Sequence, residues 1–194
     1  MFFEALILGI IIGYVRKGKI SRLSYVNFSY RPLILIYVSA LFYLGIIVIN
    51  LGLYDYDSFL YSGLLMGSMI LAGLFLTANL SIKFMFVPLI GLSLNLLSFL
   101  VNGFKFPLLP EAAAQIYGTE MAELLINEKL LFYTSSETAS LSFLGNIIPL
   151  GSWFVVSIGD IIAALGVVFI VQGIMSDKFI QNRSRITFSK DIFR

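Results

Sequence analysis

The chain has 194 residues, 59% of them hydrophobic and 12% charged, with a net charge of +2 and a mean hydropathy of +0.95. A soluble domain carries about 25% charged residues, so most of this surface is not built to face water. Cysteine and histidine are absent, which excludes thiol catalysis, disulfides, Cys/His metal sites and His-activated nucleophiles.

A bilayer core of about 30 Å takes roughly 20 apolar residues as helix, and five stretches meet or approach that length. The first, 1–15, is short. It lacks the basic n-region and A-x-A-like site of a signal peptide and reads as a span. The second and third run over 33–52 and 58–80. The link Ser81-Ile82-Lys83 then leads into the fourth, 84–102, as a tight antiparallel hairpin. The fifth covers 153–175. Gly9-x-x-x-Gly13 and Gly63-x-x-x-Gly67 offer small faces for close helix approach. Asn50 and Asn79 lie near helix ends, within reach of water, and Tyr54, Tyr56 and Trp153 read as interfacial anchors.

Between the fourth and fifth spans lies the one sizeable extramembrane region, 103–152. Its 110–133 segment reads as an amphipathic helix, with Met121, Leu124, Leu125 and Phe132 on one side and Glu120, Glu123 and Asn127 on the other. Such a helix would lie on the outer leaflet or cap the bundle; the sharper reading is a lid or docking surface. A Ser/Thr-rich stretch, 134–142, follows. The expected fold is therefore all-α: one integral membrane domain over 1–194, a bundle of about five transmembrane helices with a tail at 176–194.

Loop charge sets the orientation. The first loop holds Arg16, Lys17, Lys19, Arg22 and Arg31 with no acid, and the second holds Asp55 and Asp57 with no base. The third contains Lys83 alone. The fourth sets Glu111, Glu120, Glu123, Glu128 and Glu137 against Lys105 and Lys129; the tail sets Lys178, Arg183, Arg185, Lys190 and Arg194 against Asp177 and Asp191. Basic and acidic segments alternate. The expected location is the plasma membrane, multi-pass, with the N-terminus outside and the C-terminus cytoplasmic. The basic loop reads as an orientation signal that also meets anionic headgroups. The sequon-like Asn182-Arg183-Ser184 would then be cytoplasmic and unglycosylated.

The polar residues within the spans are the candidates for function. Asp160 sits in the apolar run 155–168, where a mid-bilayer charge costs at least about 2.5–3.5 kcal/mol. Counted from 153, it lies about 10 Å below the outer end of its helix at 1.5 Å per residue. Asn95 lies seven residues before Asn102 on the fourth span, at similar depth. Gly91, Asn95, Ser98 and Asn102 share one helical face, and Ser157, Asp160 and Ala164 make a matching one. The two faces should meet, with Asp160 hydrogen-bonded to Asn95. That pair serves either to fix the helices or to line an outward-facing polar pocket. Asn95, Ser98, Asn102, Lys105, Asn146, Ser157 and Asp160 are the candidate binding residues; none is assigned catalysis or metal.

Three segments carry a resemblance: Asn102-Gly103-Phe104-Lys105-Phe106-Pro107, Gly145-Asn146-Ile147-Ile148-Pro149-Leu150 and Ser157-Ile158-Gly159-Asp160. They resemble the N-G-G-R-M-P-like, G-D-x-I-P-L and S-I-G-D motifs of a small bacterial multi-pass membrane family of unknown function. Here Phe104 replaces Gly, Lys105 replaces Arg and Asn146 replaces Asp, and the last removes an acid near the outer mouth. A looser likeness is to the lipoprotein signal peptidase, which uses two intramembrane aspartates. The segment 154–168 is similar to its second aspartate motif and 91–98 to its first, but Ser98 stands at the first aspartate's position. Aspartic proteolysis needs two carboxyls sharing a proton, so this likeness does not imply proteolysis.

The preferred function is non-enzymatic binding of a small ligand, lipid or partner helix through the Asn95/Asp160 pocket. The alternatives are an intramembrane hydrolase relative and a proton- or cation-coupled transporter using Asp160; five spans without an inverted repeat argue against a self-contained transporter. The lipid bilayer is the expected partner, with room for an oligomer, and neither a nucleic acid nor a cofactor is expected.

Overall fold

The computed structural model describes residues 2–25, 30–50, 58–130 and 132–176. Asn50's side chain, Tyr54, Tyr56 and the Asn182-Arg183-Ser184 site lie outside the described residues. Seven α-helices are described: α1 (Phe2–Val15), α2 (Tyr30–Asn50), α3 (Ser58–Ala78), α4 (Phe86–Val101), α5 (Pro110–Tyr117), α6 (Thr119–Ile126) and α7 (Ile158–Met175). Four short strands accompany them: β1 (Phe106–Leu108), β2 (Tyr133–Ser135), β3 (Ile148–Leu150) and β4 (Phe154–Val156). The expectation of an all-α chain is corrected to that extent.

Three helices contain windows long and apolar enough to cross a membrane: Pro32–Ile49, Phe59–Ala78 and Ile158–Met175, of mean hydropathy 2.5, 1.9 and 2.2. α1 and α4 are apolar but shorter. Only 17% of the Pro32–Ile49 window is buried within the chain. Ile34, Leu41, Phe59, Leu74, Ile90 and Leu165 are all exposed on outward faces. Contiguous apolar surface on this scale is not stable in water. It requires a lipid or protein surround.

The five long helices pack in the order α2, α3, α4, α7, α1. Ser39 Oγ donates to Ser68 O at 2.8 Å between α2 and α3, and a Cβ on Gly67 would sit 2.7 Å from the Phe42 ring. α4 runs antiparallel to α7, with Gly91 against Gly159 and Ala163, Pro88 against Gly166 and Phe84 near Gly173. α1 runs parallel to α7, with Gly9 on Val168 and Val171 and Gly13 on Met175. The Gly9/Gly13 face therefore packs as expected. The Gly63/Gly67 face does so only in part, because among the described residues nothing lies within 4 Å of a Cβ on Gly63. Asn79 is 2% exposed rather than open to water, its Nδ2 donating to Phe75 O at 2.9 Å.

These directions bring the N-termini of α1, α3 and α7 and the C-termini of α2 and α4 to one end, which 102–157 covers. That cap has its own apolar core of Leu108, Ala112, Ala113, Leu125 and Val155. The single helix expected over 110–133 is two helices, broken at Gly118, whose φ of 96° stops the first. The helical path ends at Asn127, and Tyr133 belongs to β2, paired in parallel with β1. Leu125 is fully buried but Leu124 is 42% exposed, so the predicted apolar face is rotated. Phe132 stacks on Tyr61 at 3.4 Å, tying the cap to α3.

The opposite end is basic. Arg16 Nη1 donates to Gln172 Oε1 at 2.9 Å, and Arg22 Nη1 and the Lys19 amide donate to Met175 O at 2.7 and 3.1 Å. Cations there satisfy the carbonyl end of α7 and oppose its negative dipole. The chain thus sets Arg16, Lys17, Lys19, Arg22 and Lys83 at one end, while the cap at the other carries five glutamates against Lys105 and Lys129.

Candidate functional site

The start of α7 organises the seam. The sequence places the fifth helix at 153–175, but the residues before Ile158 form β4, which pairs with β3 in register Ile148↔Val156 and Leu150↔Phe154. Gly151, with φ of 63°, makes the reversal between the strands. Ser157 is therefore not on a helical face. It is the N-cap, extended at φ −92° and ψ 164°. Asp160 is the third residue of the helix, not a group two turns below its end.

Its carboxylate has a local reason to exist. The Asp160 amide donates to Ser157 Oγ at 2.9 Å, and the Ser157 amide donates to Asp160 Oδ2 at 3.2 Å. This reciprocal capping box satisfies two otherwise orphaned helix donors, and an acid in the first turn also complements the dipole. Two further bonds reach α4: Asn95 Nδ2 donates to Asp160 Oδ1 at 2.8 Å, and Ser157 Oγ donates to Asn95 Oδ1 at 2.7 Å. The expected Asn95–Asp160 contact is direct. It closes a ring of four hydrogen bonds through Asn95, Ser157 and Asp160.

Glycines let the ring close. A Cβ on Gly159 would collide with Asn95 Oδ1 and lie 2.6 Å from Gly91 O, and one on Gly91 would collide with Gly159 O. The backbones of α4 and α7 therefore cross with no room for a methyl between them. The sequence signal for Gly159 was available: a glycine inside a helix costs about 1 kcal/mol relative to alanine and so calls for a packing reason.

One turn further along α4, Ser98 is fully buried, and its Oγ has no hydrogen-bond partner among the described residues. Asn102 ends the helix. Its Nδ2 donates to Ser98 O at 2.8 Å and to Ser140 O at 2.9 Å, while its Oδ1 accepts from the Ser140 amide at 2.9 Å. Ser140, which the sequence reading did not single out, holds the Ser/Thr-rich stretch onto α4. The Asn146 amide donates to Pro107 O at 2.7 Å, and Asn146 O accepts from Leu109 at 3.1 Å, so this residue acts through its backbone. Neither Asn146 nor Lys105 hydrogen-bonds to the Asn95 ring. The structure brings Asn95, Ser98, Asn102, Ser157 and Asp160 onto one seam and leaves Lys105 and Asn146 apart from it.

The three segments 102–107, 145–150 and 157–160 form one continuous assembly. A Cβ on Gly145 would collide with Pro107, β3 pairs with β4, and β4 leads into Ser157. Phe104, where the resemblance has glycine, takes φ of 65° in the left-handed region. Tyr133, also overlooked from sequence, lies close enough to Asp160 to feel its charge. Burial pushes its phenol up to about 12, with Tyr117, Tyr61, Tyr43 and Asp160 adding to the shift, so it is a neutral O–H at physiological pH.

Fold and seam together define an apolar helical bundle with three membrane-length helices, closed at one end by a folded cap that a polar ring joins to α4 and α7. The chain belongs to the family of unknown function DUF5317, whose model matches residues 26–172. No curated protein and no solved structure matches the chain.

Proposed function

We propose that this chain is a five-span plasma-membrane protein, with its N-terminus and the 102–157 cap outside and its C-terminus in the cytoplasm. It acts without catalysis, as a binding protein whose site is the polar seam around Asn95 and Asp160. α4, at 16 residues, rises about 24 Å, short of the roughly 30 Å hydrocarbon thickness, so α1 and α4 complete a five-helix bundle in a locally thinned bilayer. The excess of cations at one end and of glutamates over Lys105 and Lys129 at the other supports the orientation.

The observation that carries the binding reading is the state of Asp160. Its carboxylate is half-buried and held in place by two amide donors, yet no cationic side chain bonds to it among the described residues. A carboxylate has about four lone-pair sites, and two remain. A held acceptor of this kind suits an ammonium or another hydrogen-bond donor. Hydrolysis is disfavoured because Ser98 stands where the second carboxyl of a dyad would be. Thermal unfolding of the detergent-purified protein with ethanolamine, tetramethylammonium or Na⁺, against acetate and phosphate, tests the site. A cation should raise the midpoint in the wild type and not in Asp160→Asn. Equal shifts in both proteins would remove Asp160 from the site.

Orientation has a separate test, made clean by the cysteine-free background. Ser21 is exposed at the basic end and Glu137 is exposed on the cap, whereas Ser136, at 8% exposure, is too buried to label. Ser21→Cys should react with an impermeant maleimide only after the membrane is opened, and Glu137→Cys in intact cells. Labelling of both from outside overturns the topology.

A further inference from the structure

Between α3 and α4 lies a groove of about 220 Å³. It is lined by Met69, Gly73 and Thr77 on α3 and by Leu89, Leu92 and Leu96 on α4, among others. From Met69 to Thr77 it runs roughly 12 Å along the helix axis at 1.5 Å per residue. Thr77 and Ser93 are its polar groups, and both hydroxyls are committed within their own helices: Thr77 Oγ1 to Gly73 O and Ser93 Oγ to Leu89 O, each at 2.8 Å. The groove therefore presents a hydrocarbon wall with no free donor. A polar ligand gains nothing there; an alkyl chain does.

The groove's Thr77/Leu89 end points to the basic end of the bundle. Lys83 lies in the connection between the two helices, exposed, with its ammonium 4.8 Å over the Phe84 ring and no carboxylate partner among the described residues. The first turn of α4 adds little to this: the Met85 and Val87 amides already donate to Ile82 O and Phe84 O at 3.1 and 3.0 Å, and Pro88 has no N–H, so Lys83 is the polar group of this rim. The other charged groups described at this end, Arg16, Lys17, Lys19 and Arg22, are all cationic. An apolar groove leading to a positive rim matches one chemical object, an acyl chain carrying an anionic head.

We propose that the α3–α4 groove holds one acyl chain of an anionic phospholipid whose phosphate lies at Lys83. The proposal rests on the membrane reading above. A basic residue near a membrane surface attracts an anionic lipid by about 1 kcal/mol, so Lys83→Gln should weaken binding about fivefold.

Native mass spectrometry of the detergent-purified full chain reads this directly, with phosphatidylglycerol and phosphatidylcholine of matched chains as probes. The first bound lipid should be phosphatidylglycerol in preference to phosphatidylcholine. Lys83→Gln should lose that preference. Gly73→Leu should lower occupancy by either lipid, because a Cβ there already meets Leu92 at 3.7 Å and a longer side chain fills the groove. Thr77→Leu, at an exposed position, gives the same result should Gly73→Leu not fold. Equal binding of the two lipids, or occupancy unchanged in the groove variants, overturns the proposal. So does competition by glycerol phosphate, which would mean that the site reads phosphate without a chain. A groove variant that alters oligomeric state but not lipid occupancy assigns the groove to a second helix. A chain that fails to enter phosphatidylcholine nanodiscs refutes the membrane reading itself, separately from the lipid site.

Discussion

Gly159→Ala is expected to destabilise the protein by about 2–4 kcal/mol, the sum of overpacking and the loss of the interhelical bonds beside it. The added methyl would overlap Asn95 Oδ1 and lie 2.6 Å from Gly91 O and 2.7 Å from Asn95 Cγ. Asn95 can rotate away, but only by leaving Asp160 Oδ1 and Ser157 Oγ. The Gly91 carbonyl belongs to the α4 backbone and cannot rotate at all. Relief therefore requires the two helices to separate, which loosens the Ala163 and Pro88 contacts further along. Gly63→Ala is the matching control: among the described residues nothing lies within 4 Å of its Cβ, and the helix should gain about 0.4–1 kcal/mol from the lost chain entropy. Thermal unfolding in one detergent compares the two. Equal midpoints would mean that the α4–α7 crossing is looser than its backbone distances imply.

That crossing was partly legible in the sequence. Helical spacing alone put Gly91, Asn95, Ser98 and Asn102 on one face, and the cost of an isolated carboxylate required a partner for Asp160. Both inferences use only local periodicity and desolvation. The start of α7 was not legible, because Trp153-Phe154-Val155-Val156 is equally apolar as strand or helix. What makes it a strand is pairing with Ile148–Leu150, across a reversal at Gly151 that hydropathy does not register. The error mattered chemically. It placed Asp160 deep in the helix as a mid-bilayer charge, whereas a residue in the first turn has a capping role. The basic loop shows the same limit. Its charge was countable, but its grip on Gln172 and Met175 depends on α1 lying parallel to α7, a long-range fact. Gly118 likewise reads as one unfavourable residue within a helical pattern until its φ of 96° shows that it ends α5.

Asp160→Leu should cost about 2–3 kcal/mol, combining a lost cap of about 1 kcal/mol with interhelical bonds of about 0.6–2 kcal/mol. The leucine leaves the Ser157 amide and Asn95 Nδ2 without acceptors, and Ser157 is only 2% exposed, so water replaces little of what is lost at that amide. Asp160→Asn should behave differently. The introduced amide oxygen can accept from the Ser157 amide while its NH₂ donates to Asn95 Oδ1, once the Asn95 side chain has turned over. Asn95 Nδ2 then faces Ser157 Oγ, which accepts in place of donating. The two capping bonds keep their direction and the two interhelical bonds reverse; the loss is the charge at the helix N-terminus, about 0.3–1 kcal/mol, together with the acceptor of the Ser157 hydroxyl. The order expected in detergent unfolding is wild type, then Asp160→Asn close behind, then Asp160→Leu well below. If Asp160→Leu matches the wild type, the ring carries no stability and its bonds are incidental. If Asp160→Asn falls as far as Asp160→Leu, the charge rather than the hydrogen-bond ring holds α7 to α4. A small loss of stability in Asp160→Asn together with loss of the ammonium-induced shift separates the two roles, because the ring then stands without the carboxylate that the ligand needs.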